Sequence, residues 1–151
     1  MLPQKPHRGT APPISTAEIH ARVKPTILVA EDDPDSRQMM STLLTMKGYD
    51  VCEAGDGLAA LEIALRTPPD LIFIDLQLPK LDGLGVTREL RLHPKLKQTP
   101  IVVLSGYDPA KYRQAALDAG CNDYLLKPID FERLEKLLTA IVPPRFYAAR
   151  A

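Results

Sequence analysis

The chain has 151 residues, 45% hydrophobic and 25% charged, which is the balance of a soluble globular protein and excludes a disordered or membrane-spanning one. That length accommodates one ordinary domain with a full core and no second one. The formal net charge is zero but uneven: residues 1–25 carry four basic and one acidic side chain, whereas residues 26–142 carry 13 and 18, an acidic excess that disfavours contact with nucleic-acid phosphates.

Residues 1–25 hold five of the 15 prolines and no sustained apolar period. They predict a Pro-rich flexible tail or linker, with at most a short helical turn over residues 15–23. The first continuous apolar run, residues 27–30, reads as a strand buried on both faces. Pro34 then suits a first helical turn, Met40, Leu43 and Leu44 give a helical period, and Gly48 marks its stop. A weaker strand fits residues 50–53, followed by a helix with Leu58, Leu61, Ala64 and Leu65 on its inner face and a break at Pro68-Pro69. The run at 71–74 is the third strand, with Val86 and Leu90 on the next helix. The run at 101–104 is the fourth, with Tyr112 and Ala116 after it. Residues 124–126 are the fifth, before a helix with Phe131, Leu134, Leu138 and Ile141 inward. Pro143-Pro144 ends that helix and leaves residues 143–151 as a second tail.

Five strands alternating with five helices predict an α/β fold with a parallel sheet between helical layers, joined by right-handed crossovers. Ligands of such sheets bind beyond the carboxyl ends of the strands, where strand order reverses. Those ends are polar here: Glu31-Asp32-Asp33 after the first strand, Asp75 after the third, Ser105 after the fourth and Lys127-Pro128 after the fifth. Taken singly, each has a plain explanation as a helix cap or turn residue. Asp33, followed by Pro34, fits a cap, as do Asp56, Asp108 and Asp130. Taken together, three carboxylates, a hydroxyl and a lysine converging at one sheet edge suit a hard divalent cation and a phosphoryl group, with a carboxylate as nucleophile.

The segments ILVAEDD (27–33), PDLIFIDLQLPKLDG (69–83), IVVLSGYD (101–108) and DYLLKPID (123–130) resemble the signature blocks of bacterial two-component response-regulator receiver domains. The resemblance runs over residues 26–142. It implies a flavodoxin-like three-layer (βα)5 sandwich with strand order 2-1-3-4-5, and phosphoryl transfer from a histidine kinase or histidine phosphotransfer protein. By the same resemblance Asp75 is the phosphoryl acceptor. Asp32 directly, Asp75 and the backbone carbonyl of Gln77 hold Mg²⁺, or Mn²⁺ in its place, and Glu31 stands where the family's acidic residue usually reaches the metal through water. Lys127 and Ser105 bind the phosphoryl oxygens, the Lys127-Pro128 bond is cis, and Ser105 with Tyr124 forms the switch, Tyr124 swinging inward as Ser105 moves. Gly106 leaves the acceptor accessible, and Gln77 and Tyr107 stand where the family tunes phosphoryl lifetime.

These readings imply a signalling module and not an enzyme acting on external substrates. They place it in the cytoplasm, as a monomer or phosphorylation-dependent dimer that binds proteins and neither nucleic acid nor membrane. A haloacid-dehalogenase-type phosphatase would need an aspartate where Gln77 stands. A phosphorylation-independent pseudo-receiver, or a receiver piece of a larger regulator or hybrid histidine kinase, are the other readings. Cys52 and Cys121 fall at opposite edges of the expected sheet, too far apart to bridge. His7, His20 and His93 are dispersed and form no metal-ligand spacing.

Overall fold

A computed structural model describes residues 24–144. The helical turn expected at residues 15–23, and with it His7 and His20, lies outside the described residues.

Ten elements alternate: β1 (Thr26–Ala30), α1 (Pro34–Met46), β2 (Asp50–Ala54), α2 (Gly57–Arg66), β3 (Leu71–Asp75), α3 (Gly83–Arg91), β4 (Ile101–Ser105), α4 (Pro109–Ala119), β5 (Asp123–Leu126) and α5 (Phe131–Ile141). All strand pairings are parallel and the order is 2-1-3-4-5, the flavodoxin-like arrangement. Every residue of β3 and β4 is buried, because helices cover both faces of the sheet. Alternate residues of a strand therefore enter different cores. Leu28, Ile72, Ile74, Ile101 and Val103 pack with Ala60, Ala64, Val86, Leu90 and Ala116 of α2, α3 and α4. Ile27, Val29, Phe73, Val102 and Leu104 pack with Met40, Leu44, Leu134 and Leu138 of α1 and α5. Each buried aliphatic side chain contributes about 1.5–3 kcal/mol over its exposed state.

Each of the five described helices starts on an aspartate whose side chain accepts a backbone N–H of the first turn. Asp33 accepts from Ser36, Asp56 from Ala59, Asp82 from Gly85, Asp108 from Ala110, and Asp130 from Glu132 and Arg133. Each such cap is worth about 1 kcal/mol. Gly48 follows α1 at φ 99°, and the Lys127-Pro128 bond is cis. Cys52 on β2 and Cys121 before β5 are free thiols, at opposite edges of the sheet.

Inner faces differ from the expected ones in three helices. In α2 the buried residues are Gly57, Ala60 and Ala64, while Leu58 is 52% and Leu65 37% exposed. The helix lies close on its neighbours through small residues, so its larger side chains turn outward. Tyr112 of α4 packs on Tyr107 instead of the core, ring centroids 5.1 Å apart. Phe131 is half exposed, and the inner stripe of α5 is Leu134, Leu137 and Leu138.

At the opposite end of the sheet from the polar strand ends, the phenol of Tyr49 is buried and donates to Val142 O at 2.6 Å, tying the turn after α1 to the end of α5. Burial, aided by the Glu135 charge, pushes its pKa from 10.0 up to about 12. Its contribution is therefore complete below pH 10 and is lost as pH rises through 12. Tyr49→Phe is expected to lower stability by about 1 kcal/mol at pH 7 and to flatten the alkaline loss. Urea midpoints at pH 7 to 12 check both effects.

Candidate functional site

Strand order reverses between β1 and β3: the chain passes from β1 to β2 on one side, then to β3 on the other. Ala30 is level with Ile74, so Glu31, just past β1, stands beside Asp75, the last residue of β3. Asp75 is in turn paired with Leu104, and Ser105 with Leu126. The polar ends of four strands thus meet at one edge through register alone.

Glu31, Asp32 and Asp75 each place a carboxylate oxygen within 4.8 Å of the others; Glu31 and Asp75 are buried and Asp32 is exposed. Lys127 Nζ lies 2.7 Å from Glu31 Oε2 and 2.5 Å from Asp75 Oδ2. The other Asp75 oxygen accepts the Gln77 N–H at 2.8 Å, and Glu31 Oε1 accepts the Asp33 N–H at 3.3 Å. Burial raises the Glu31 pKa to about 7, the neighbouring Asp75 adds to the rise, and Lys127 opposes it. Burial works against the charged form of Lys127 as well, but its hydrogen bonds to Asp75 and Glu31 outweigh that, and its pKa lies above the ordinary lysine value. One ammonium thus faces two buried carboxylates, with a third alongside and open to solvent.

Three oxygen ligands of this spacing, with an exposed flank, fit a hard divalent cation such as Mg²⁺ or Mn²⁺. A cleft of about 550 Å³ opens at the site, its lining including Asp32, Leu76, Gln77, Pro79, Tyr107 and Tyr112.

Ser105 is buried, and its hydroxyl accepts the Tyr107 N–H at 3.0 Å. Tyr124, expected to move inward, is already only 2% exposed, and its hydroxyl donates to the Tyr107 carbonyl at 3.0 Å. Both residues therefore grip the backbone of the loop between β4 and α4. The Tyr107 hydroxyl is in turn bonded by the Gln77 side-chain amide, which links that loop to the one after β3. A Cβ at Gly106 would meet nothing within 4 Å, so the chain is open there.

Sequence reasoning placed Glu31, Asp32, Asp75, Ser105 and Lys127 at the strand ends, and the structure brings them to one edge, with Tyr124 inside β5 reaching the loop after β4 through its hydroxyl. It did not single out Arg37, whose guanidinium Nη1 donates to the Glu31 carbonyl at 2.7 Å, nor Asp82, which caps α3 beside the cleft. The Asp82 cap had a readable signal, an aspartate before a glycine and a helical period. Arg37 had none, since its partners are a backbone carbonyl and a glutamate on another element.

A family model for the response regulator receiver domain matches residues 27–139. Among curated proteins, the chain is 39% identical over 119 residues to the probable transcriptional regulator ycf27 of Porphyridium aerugineum, covering 79% of this chain and 48% of that one. The chain spans about half the length of the curated relatives it matches. Among solved structures, the chemotaxis protein CheY4 of Vibrio cholerae aligns with a TM-score of 0.75 at 30% identity, over 80% of this chain and all of that one. The receiver domain of the sensor histidine kinase PA1611 of Pseudomonas aeruginosa PAO1 aligns with a TM-score of 0.73 at 34% identity, over 79% and 98% of the two chains, and that structure has a magnesium ion coordinated in its active site cleft.

Proposed function

The chain belongs to the response regulator receiver domain family, and from that premise we propose that its phosphoryl acceptor is Asp75, served by a divalent cation on Glu31, Asp32, Asp75 and the Gln77 carbonyl. The observation that carries this reading is the convergence of three carboxylates and Lys127 at the reversal of strand order.

The carboxylate of Asp75 acts as the nucleophile on the phosphorus of a phosphohistidine. The new O–P bond forms as the N–P bond to the imidazole breaks, leaving an acyl phosphate. The Gln77 N–H holds one carboxylate oxygen in place, so the other, now paired with Lys127, is the attacking atom. Lys127 then exchanges its contact with Asp75 for one with a phosphoryl oxygen, staying tied to Glu31. When bound, Mg²⁺ or Mn²⁺ neutralises charge on the phosphoryl oxygens and on the three carboxylates. The Ser105 hydroxyl turns from the Tyr107 amide to the phosphoryl group. That turn loosens the β4–α4 loop, which Tyr124 also holds, and shifts the face of α4, β5 and α5 between two states.

On this reading residues 26–142 form the signalling unit. Its donor is a histidine kinase or histidine phosphotransfer protein, and its target is a protein surface, in keeping with the acidic excess of residues 26–142. Among the described residues no helix is long and apolar enough to cross a membrane.

Incubation with acetyl phosphate and Mg²⁺ is expected to add about 80 Da, one phosphoryl group, and EDTA to suppress the addition. An unmodified mass in Mg²⁺ sinks the reading. Lys127→Ala is expected to slow phosphoryl uptake roughly a hundredfold, since one preorganised charge partner is gone. The same variant binds Mg²⁺ at least as tightly as the wild type, because the ammonium no longer competes for Glu31 and Asp75. Calorimetric titration checks this, and loss of Mg²⁺ binding shows the lysine misassigned.

A further inference from the structure

The acidic loop after β1 is held from three sides. The Glu31 N–H donates to Ala54 O at 3.0 Å, which fixes the loop to the end of β2. The Asp33 carboxylate takes the Ser36 amide at 3.0 Å and the Ser36 hydroxyl at 2.6 Å. The Glu31 carbonyl is taken by Arg37, which lies on the first turn of α1 and folds its guanidinium back over the loop. Arg37 Nε also stands 3.5 Å from Glu53 Oε1 on β2, and its Nη1 lies close to Gly55. A planar fork with donors in fixed directions can grip a backbone carbonyl and a carboxylate at once; a lysine ammonium is a single point. Asp32 follows directly on the Glu31 carbonyl, so the placement of its main chain depends on the bonds that hold this loop.

We propose that Arg37 is a positioning residue for the cation, acting through the Glu31 carbonyl to keep the Glu31 and Asp32 carboxylates at ligand spacing. The proposal rests on the cation reading above. Charge and position pull in opposite directions here. A guanidinium beside a cation site repels the ion, so if charge were its whole effect, removing it would tighten binding. If position decides, removing it loosens binding.

Calorimetric titration of the full chain with Mg²⁺ at 25 °C separates the two. Arg37→Met is expected to weaken the Mg²⁺ Kd about tenfold, as loss of a group that orients metal ligands does. Arg37→Lys, with the charge and one donor kept, recovers part of that loss. Arg37→Gln keeps a donor for the Glu31 carbonyl but no charge; it weakens binding less than Arg37→Met does, whereas charge alone would tighten it, and it decides the matter if Arg37→Met does not fold. Lys47→Met, at the far end of α1, loses the pair with Glu135 and lowers Tm without moving the Kd. An unchanged or tighter Kd in the folded Arg37→Met, or a tighter Kd in Arg37→Gln, overturns the proposal. A wild-type chain that takes up no Mg²⁺ overturns instead the cation reading beneath it.

Discussion

Asp75→Asn is expected to take up no phosphoryl group at all under conditions where the wild type gains about 80 Da. An amide keeps the shape of the carboxylate, and its oxygen can still accept the Gln77 N–H that Asp75 Oδ1 accepts at 2.8 Å. Its nitrogen is not a nucleophile, however, and an amide oxygen attacks phosphorus far too weakly to compete. The fold should survive. The substitution removes one of three crowded negative charges, so the thermal midpoint without Mg²⁺ is expected to stay level or rise, while the Mg²⁺-induced rise shrinks. Intact-mass spectrometry reads the first effect and calorimetric melting with and without Mg²⁺ the second. A variant that still gains the mass places the acceptor elsewhere.

Gly83→Ala should damage the site through a single added methyl group. A Cβ at Gly83 would lie 2.3 Å from the Asp75 carbonyl oxygen and 3.2 Å from Leu76 Cα, both main-chain atoms with no rotamer to yield. The Gly83 N–H donates to Leu76 O at 3.1 Å, so the start of α3 is fastened to the end of β3 at this very contact. Relief requires moving β3 or α3, and either moves Asp75. A loss of about 3 kcal/mol is expected, the upper end for overpacking a tight interior, which lowers Tm by roughly 10 °C. Phosphoryl uptake should fall even well below that Tm, because the acceptor is displaced. Gly106→Ala is the control: with nothing within 4 Å of its added methyl, it should change stability by less than about 0.5 kcal/mol. Equal melting of the two variants would remove the argument from contact.

The strands were readable because a strand buried on both faces has no polar residue to interrupt it, and 27–30, 71–74 and 101–104 have none. The strand order followed from the family resemblance and from the rules of crossover connection. The helix faces were less readable. Hydropathy ranks Leu58 and Leu65 above Ala60, but the closeness of α2 to its neighbours favours the small side chain, and that closeness appears nowhere in the helix's own sequence. Phe131 failed for a similar reason, lying on the first turn of α5 where the helix has not yet reached the sheet. At the site, acidic residues after strands could be named and their common edge inferred. Lys127 bridging two carboxylates, Tyr124 already inside, and Gln77 meeting Tyr107 depend on loop paths, which local sequence does not determine.

The five aspartate caps bear on what that edge can do. In a parallel α/β sheet each helix begins where a strand ends, so Asp33, Asp56, Asp82, Asp108 and Asp130 all stand around the same rim as Glu31, Asp32 and Asp75. Their negative charge is absorbed on the spot by helix amides, which are always present and never leave. The charge of the inner three is met by two loop amides and one lysine, and otherwise by whatever arrives from solution. The rim thus has a fixed ring and an adjustable centre built from nearly the same side chain, and ions or phosphodonors in the surrounding solution can retune the centre while the helix starts that frame it stay put.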